Sequence, residues 1–517
     1  MQTHGGTAVH ALTGRVLADS GTCNGNGQTT PLAGVMVSNG LDVVVSDAQG
    51  EYRLIVAPGQ SVFVIKPPGY ALPSDPATGL PILAHPHLPQ GSPADFRFPG
   101  LPPTALPERL DFVLRPVAEP EDFSALVFAD TQAQSDAELD YLRDDVIAVA
   151  AGVVPRPAFA LVLGDVMFDD LSHYTRHNRV MAGLGMPVYP VPGNHDINAE
   201  APDDARSRDT WLSVYGARHY AFRHGRAVFL MLDDVAYLGP DPGRPGHSGP
   251  YRGLFGPDQC QFVRNVLAQV ERDALVVACF HIPFDTLQGD APDLITGDTA
   301  DFLAALSSHE NSLSLAGHTH TLEHSYYGPA EGFRPGTHHH HVLSTACGSW
   351  WSGPRDLRGI PASLQQDGTP NGFHVLEIRG TSAALRFVPA HEPAGAMRVS
   401  LVGPHGFATR LPRAAVVQTL VSVNLFDGGP RSEVVLAVDD APAVPLRRTI
   451  AHDPFTEAAY ADHRETLKRW VKTDPCSHLW QGGLPDLPPG THRLHIAARD
   501  EYGRSSAAMV MLEVSEG

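Results

Sequence analysis

Six side chains, each at or just past the end of a short apolar run, could together hold a pair of divalent cations. Asp130 ends SALVFAD, Asp165 ends LVLGD, Asn194 lies in VPGNHD, His281 ends VVACFH, and His318 and His320 lie in LAGHTH. Two such ions about 3.5 to 4 Å apart need a shared anionic bridge, one or two further ligands each, and open positions for water and substrate. Asp165 is the natural bridge. Gly164, Gly193 and Gly317 precede Asp165, Asn194 and His318, and a residue without a side chain lets those loops approach closely. Imidazole suits zinc, iron or manganese, while carboxylate and amide oxygens suit harder ions. The mixed set therefore implies two divalent ions without choosing among Mn, Fe, Zn or similar metals.

For these residues to meet, the runs that carry them must lie side by side. SALVFAD, AFALVLGD, MPVYPVPG, AVFLMLD, ALVVACFH and SLSLAGH are short and almost wholly apolar, as strands buried on both faces must be. Between them ELDYLRDDVIAVAAG and QCQFVRNVLAQVERD place apolar residues at helical spacing, which predicts a layered α/β domain. Functional groups of such sheets gather at the carboxyl ends of strands, so the six ligands can converge. Residues 10 to 66 predict short strands (LTGRVLAD, LAGVMVSNG, VVVSDAQGEYRLIV, SVFVIK), with Asp47 to Gly50 as a hairpin turn. Pro67 to Pro120 is dense in Pro, Gly and Ser and predicts an irregular connection packed between domains. Strand-like alternation returns near residue 390 in VVQTLVSVNLF, SEVVLAVDD, THRLHIAARD and AAMVMLEV. The expected organisation is an all-β domain with its connection over residues 1–118, an α/β domain over 119–390, and a β-rich domain over 391–517.

Composition narrows the partners. At 517 residues the chain exceeds the roughly 250 to 300 at which one core stops growing, so several domains are required. With 43% hydrophobic and 18% charged residues, and no apolar run near the roughly 18 residues of a spanning helix, a globular chain without a transmembrane segment is expected. The 37 basic against 57 acidic residues give a net charge of -20, which repels polyphosphate backbones and makes nucleic acid an unlikely partner. Cys23, Cys260, Cys279, Cys347 and Cys476 stand singly without CxxC spacing, so neither a disulfide framework nor a zinc ribbon is expected. Cys279 and Cys347 lie in apolar runs, where buried inert thiols are expected. The opening MQTHGGTAVHALTGRV lacks a basic start and an apolar core, so it predicts no secretory signal.

In order, the motifs read Asp130-Thr131-Gln132, Gly164-Asp165, Gly193-Asn194-His195-Asp196, His281 and Gly317-His318-Thr319-His320. This resembles the calcineurin-like metallophosphoesterase superfamily, whose pattern is D-x-H, G-D, G-N-H-[DE], a lone His and G-H-x-H. A wider likeness is to a bacterial three-module group in which N-terminal and C-terminal associated domains flank the phosphoesterase. It is carried by GVMVSNGLDVVVSDAQGEYRL, GSWWSG, DGTPNGF, SHLW and RDEYGR. The resemblance implies an α+β multidomain chain with a central α/β/β/α metallophosphoesterase sandwich flanked by two small all-β, β-sandwich-like domains. It implies one ion held by Asp130, Asp165 and His320, with Gln132 in place of the usual His, and another held by Asp165, Asn194, His281 and His318. His195 is then not a ligand but faces the phosphate and leaving group, with Asp196 orienting its ring. The implied reaction is hydrolysis of a phosphate mono- or diester by attack of a metal-bridging water or hydroxide at phosphorus. The implied substrate is a small-molecule, lipid or glycan phosphate ester, and the implied location periplasmic or extracellular.

Other residues carry weaker signals. His338 to His341 cannot converge on one ion, because a strand alternates its faces. His340 and His341 are candidate substrate contacts, the alternative being a polar strand edge. Trp350 is a candidate aromatic wall for substrate, the alternative being packing against the C-terminal domain. Asp19, Asn24, Asn26 and Asp47 lack EF-hand spacing and read as solvated turns. Two rival functions remain at this level: a glycan- or cell-wall-binding protein with an inert centre, and a nuclease using the same metal site.

Overall fold

The runs that end in candidate ligands form the parallel strands of two sheets in the computed structural model, which describes residues 9–19, 29–244, 249–391 and 395–516. In the first sheet the order is Val188–Val191, Ala160–Leu163, Phe123–Phe128, Gly372–Arg379, Ser382–Pro389, parallel over the first three strands and antiparallel beyond. In the second it is Tyr220–His224, Ala227–Met231, Leu275–Cys279, Ser312–Ala316, His338–Val342, Glu323–Tyr327, parallel in the middle and antiparallel at both edges.

Period-two alternation assigns each strand residue to a layer. Ala125, Val127, Leu161 and Leu163 enter one core with Phe229, Val277 and Leu315 of the second sheet. Leu126, Phe128, Ala160 and Val162 turn the other way and pack on Leu139, Leu142 and Val146 of the helical segments Asp136–Tyr141 and Leu142–Ile147 and on Tyr174 and Met181 of helix Tyr174–Ala182. Helices Gly256–Leu267 and Thr299–Leu306 bury Phe262, Val263, Phe302 and Leu303 in the core that holds the second sheet. Each such apolar side chain contributes about 1.5–3 kcal/mol on burial, which fixes the height at which the strand ends meet. The helix predicted over ELDYLRDDVIAVAAG starts at Asp136, capped by the Ser135 hydroxyl, and widens to a π turn over Leu142–Ile147.

Two four- and five-stranded sheets form the N-terminal module around Leu12, Val16, Val37, Leu54, Val64 and Leu114. The turn at Asp47 to Gly50 is present, with Gly50 N–H donating to Asp47 O at 2.9 Å, but it does not close a hairpin. Strand Val43–Val45 pairs with Met36–Ser38, whereas Glu51–Val56 pairs with His10–Asp19 in the other sheet. Alternation is the same for both pairings, so only the non-local partner decides. The stretch expected to be irregular contributes strands Ala84–Pro86 and Phe112–Pro116 to these sheets. They are too short to show a period. Cys23, Asn24 and Asn26 lie outside the described residues.

The C-terminal strands form two five-stranded sheets closed over Leu401, Val421, Leu436, Trp480, Leu494 and Leu512. Helix Pro454–Asp462 is inserted among them. This module is tied to the central one by Lys468 Nζ on Glu138 Oε1 (2.9 Å) and by the buried pair His478 and Asp367 (3.1 Å). Among the described residues the four cysteines are buried and free, and no helix is long and apolar enough to cross a membrane.

Candidate metal centre

Each candidate ligand sits on a sharp turn directly after its strand. Asp130, Gln132, Asp165, His318 and His320 have φ of 45°, 29°, 44°, 76° and 53°, a left-handed region that non-glycine residues avoid. Such strain, of order 1–3 kcal/mol per residue, persists only where the surroundings over-determine it, and it clusters at functional sites. The glycines before the ligands are needed for contact. A Cβ at Gly164 would meet the His281 ring, one at Gly193 the Asp165 carboxylate, and one at Gly317 the Asp130 carboxylate.

The turns bring the predicted ligands into one buried cluster with two ends. At one end His281 Nε2 lies 2.9 Å from Asn194 Oδ1, 3.3 Å from Asp165 Oδ1 and 3.2 Å from His318 Nδ1. At the other, His320 Nε2 lies 3.1 Å from Gln132 Oε1 and 3.7 Å from Asp130 Oδ1. Asp165 belongs to both, because its Oδ2 accepts from Gln132 Nε2 at 2.8 Å.

The outer nitrogens of the candidate imidazoles are engaged by backbone carbonyls. His281 Nδ1 is bonded to Leu163 O, His318 Nε2 to Asp293 O and His320 Nδ1 to Gly348 O, at 2.9, 2.8 and 2.8 Å. A backbone carbonyl behind one nitrogen selects the tautomer whose other nitrogen presents a lone pair inward. Burial depresses His318 to about 3 and His320 to about 4, so both stay neutral at any physiological pH. Burial also lowers His281, but the Asp165 and Asp130 carboxylates outweigh it and raise that ring to about 10. A proton and a cation therefore compete for His281 Nε2. Asp130 is pushed up by burial to about 7, whereas at Asp165 the His281 and His195 charges override burial and hold the carboxyl well below its usual range. This donor set fits a pair of divalent ions sharing the Asp165 carboxylate.

Gln132 stands among the candidate ligands with both ends of its amide engaged: its oxygen also accepts from Trp350 Nε1 at 3.0 Å. Gln132→His should tighten the ion at the Asp130 and His320 end, most for Zn²⁺ or Co²⁺, since imidazole is the better donor to late transition metals. The excess metal needed for half-maximal activity should then fall. Metal titration of both proteins checks this, and an unchanged or higher value would remove Gln132 from the ligand set.

His195 stands beside the cluster rather than in it. Its backbone N–H donates to Asp165 Oδ1 at 2.9 Å, and its ring stacks on Phe168 with centroids 4.3 Å apart. The carboxylate that orients the ring is not Asp196. His195 Nδ1 pairs with Asp169 Oδ1 at 2.7 Å, on a residue whose own φ is 61°. Asp196 turns inward instead and accepts from the backbone of Val166 (3.0 Å), Met167 (3.2 Å) and Gly193 (2.9 Å) and from the Tyr174 hydroxyl (2.9 Å). It ties two ligand loops together and is a scaffold residue. Arg208, buried against Asp233, braces the same loop by donating to Gly193 O and Asp196 O, both at 2.8 Å. Asp234 accepts from His281 N at 3.0 Å and fixes that turn.

The substrate contacts expected from sequence are placed elsewhere. Trp350 is 6% exposed; its ring stacks on His320 with centroids 4.3 Å apart and its indole N–H holds Gln132, so it supports ligands. His340 is fully buried between Phe280 and Phe284 and accepts from Phe284 N at 3.2 Å. His341, also fully buried, faces the opposite side of its strand, towards His324 and Tyr502. Neither ring is available to a substrate. The aromatic surface beside His195 is made instead by Phe168 and Trp470, stacked at 5.5 Å, and Trp470 of the C-terminal module is 47% exposed. Its position was not legible because it lies far along the chain in a stretch without a motif.

Residues 123–322 match the family model described as calcineurin-like phosphoesterase. Residues 18–99 match the model for the N terminal of calcineurin-like phosphoesterase, and residues 340–505 the model for the C terminal. No curated protein matches the chain. Among solved structures, the chain is similar to a dimetal phosphatase from Danio rerio at 18% identity, over 52% of this chain and 97% of that one, with a TM-score of 0.34. It is also similar to the purple acid phosphatase PPD1 from yellow lupin (Lupinus luteus) seeds, at 12% identity over 75% and 68% of the two chains, with a TM-score of 0.37.

Proposed function

The chain belongs to the calcineurin-like phosphoesterases, with the associated N-terminal and C-terminal modules of that family, and from this premise we propose that it hydrolyses a phosphate ester at the cluster around Asp165. The observation that carries the reading is the Asp165 carboxylate. One oxygen faces His281 and the other faces Gln132, between two sets of inward-turned ligand atoms. Asp130, Gln132, Asp165 and His320 would hold one divalent ion, and Asp165, Asn194, His281 and His318 the other. Bound there, the ions supply charge neutralisation at the phosphate and a lowered pKa for the attacking water.

The chain's own groups do the rest. Water attacks phosphorus in line with the ester oxygen; the new P–O bond forms as the P–O bond to the leaving group breaks. The Asn194 amide and the His195 ring stabilise charge on the phosphoryl oxygens, and His195 passes its proton to the departing alkoxide. Burial works against a proton on His195, but Asp165 and Asp169 outweigh it and raise the ring to about 9, so it is available as an acid at neutral pH. Phe168, stacked on His195, and Trp470, stacked on Phe168, would offer an apolar face to the leaving group that His195 protonates.

Assay of metal-loaded protein against aryl phosphates, aryl phosphodiesters, nucleotides and phospholipid head-group esters tests the proposal. Turnover of at least one class, lost on chelation and restored by Mn²⁺ or Zn²⁺, is expected; failure on every class with both ions bound would reject it.

Asp169→Asn provides a second test. It should retain metal but lower kcat by about 10- to 100-fold, as when the carboxylate behind a functional imidazole is lost. A general acid acts only while protonated, so activity falls as pH rises through its pKa. Removing the Asp169 charge lowers that pKa, and the basic limb of the kcat profile should move to lower pH. An unmoved limb would separate Asp169 from the acid.

A further inference from the structure

A second cluster of ligand-type side chains, sharing no residue with the first, lies where the central sheets meet the C-terminal module. His324 and His341 are directly opposed on the antiparallel strands Glu323–Tyr327 and His338–Val342 of the second sheet. His374 comes from Gly372–Arg379 in the first sheet, and Asp427 from the turn after Leu420–Leu425 in the C-terminal module, at a φ of 63°. The three histidine side chains are 0% exposed and Asp427 is 5% exposed.

Their polar atoms converge without bonding one another. Asp427 Oδ1 lies 3.0 Å from His341 Nε2 and 3.5 Å from both His324 Nε2 and His374 Nε2. None of these approaches has hydrogen-bond geometry. His324 Nε2, His341 Nε2, both nitrogens of His374 and both oxygens of Asp427 are buried without a hydrogen-bond partner. More than nine in ten buried polar groups in folded proteins are paired, so the orphans gathered around Asp427, which exclude only His374 Nδ1, need a common partner. A single proton could serve one imidazole and one oxygen and would leave the other rings unmatched. A cation serves His324, His341 and Asp427 at once, and His374 Nε2, 3.5 Å from Asp427 Oδ1, is the further candidate ligand.

The outer nitrogens are already engaged. His324 Nδ1 is bonded to His339 Nε2 at 2.9 Å and His341 Nδ1 to the Tyr502 hydroxyl at 3.2 Å, which turns both Nε2 atoms towards Asp427. That is the arrangement in which outer partners fix the tautomer of a ligating histidine. The ligand atoms of His324, His341 and Asp427 lie within 4.8 Å of one another. Bonds of about 2.0–2.2 Å to a tetrahedral ion put neighbouring ligand atoms about 3.3–3.6 Å apart, close to the spacings around Asp427. Three imidazoles and one carboxylate select a borderline transition ion over Mg²⁺ or Ca²⁺, which require oxygen.

We propose that His324, His341, His374 and Asp427 form a buried structural metal site for Zn²⁺ that pins the C-terminal module to both central sheets. With all four side chains buried, no position is open to substrate, so the site would hold structure rather than catalyse. It stands independently of the phosphoesterase reading.

The test uses full-length protein carrying Asp165→Asn, which disables the catalytic cluster, stripped of metal and titrated with Co²⁺ and then Zn²⁺. The expected result is one equivalent of Co²⁺ with the intense visible absorption of four-coordinate cobalt, displaced by Zn²⁺, with a melting temperature several degrees higher in the Zn²⁺-bound protein. Adding Asp427→Asn should remove both the absorption and the melting shift. Should that variant not fold, His374→Gln reads the same band, weakened or lost. Absence of four-coordinate absorption in Asp165→Asn, or a band unchanged by Asp427→Asn or His374→Gln, would overturn the proposal whatever the phosphatase assay shows.

Discussion

Asp165→Asn is expected to abolish hydrolysis and to cut bound metal at the catalytic cluster well below the wild-type stoichiometry. The carboxylate is the one group shared by the two ends, with Oδ1 3.3 Å from His281 Nε2 and Oδ2 taking the Gln132 amide at 2.8 Å. An amide has one acceptor oxygen and no charge, so whichever end keeps the oxygen, the other receives an N–H₂ donor that repels a cation. The loss of charge also removes what holds His281 protonated or metal-bound against its burial. Elemental analysis beside activity decides the matter. Because the proposed zinc site shares no residue with this one, its single ion should remain, and the loss should be confined to the catalytic pair. Full retention of that pair with normal turnover would refute the bridge.

His195→Ala should give the opposite signature, with both catalytic ions retained and turnover slowed by roughly 10² to 10⁴-fold, the range for a lost general acid. His195 reaches the cluster through its backbone N–H, and alanine keeps that donor to Asp165 Oδ1. What disappears is an imidazole held by Asp169 on one edge and by Phe168 on its face. An ester with a good leaving group needs no proton, so the deficit should shrink from alkyl to nitrophenyl esters. An equal deficit for both would assign His195 to positioning or charge stabilisation. Trp470 stacks on the far side of Phe168, so the C-terminal module takes part in setting this ring's surroundings.

The sequence by itself determined the parts that depend on local pattern. Apolar runs with ligands at their ends specify buried parallel strands, and glycine before each ligand specifies a turn tight enough for the loops to touch, as at Gly193 against Asp165. Helical spacing placed the helices in ELDYLRDDVIAVAAG and QCQFVRNVLAQVERD, and Cys279 and Cys347, expected as buried thiols, are buried and free. Tertiary structure alone decided which side chain meets which. The motif pointed to Asp196 as the partner of His195, but strand-end geometry turns Asp196 into the loop backbones and brings Asp169 from a neighbouring turn. Strand Glu51–Val56 alternates as a hairpin partner would, yet its backbone pairs with His10–Asp19, because alternation names a face and not a neighbour. The tract His338 to His341 does alternate, and its even members enter an aromatic core; its last residue finds His324 across the ladder, His374 in the facing sheet and Asp427 in another module. Periodicity is a property of one segment and can be read along it, whereas a polar cluster drawn from four segments exists only once sheets and modules have packed.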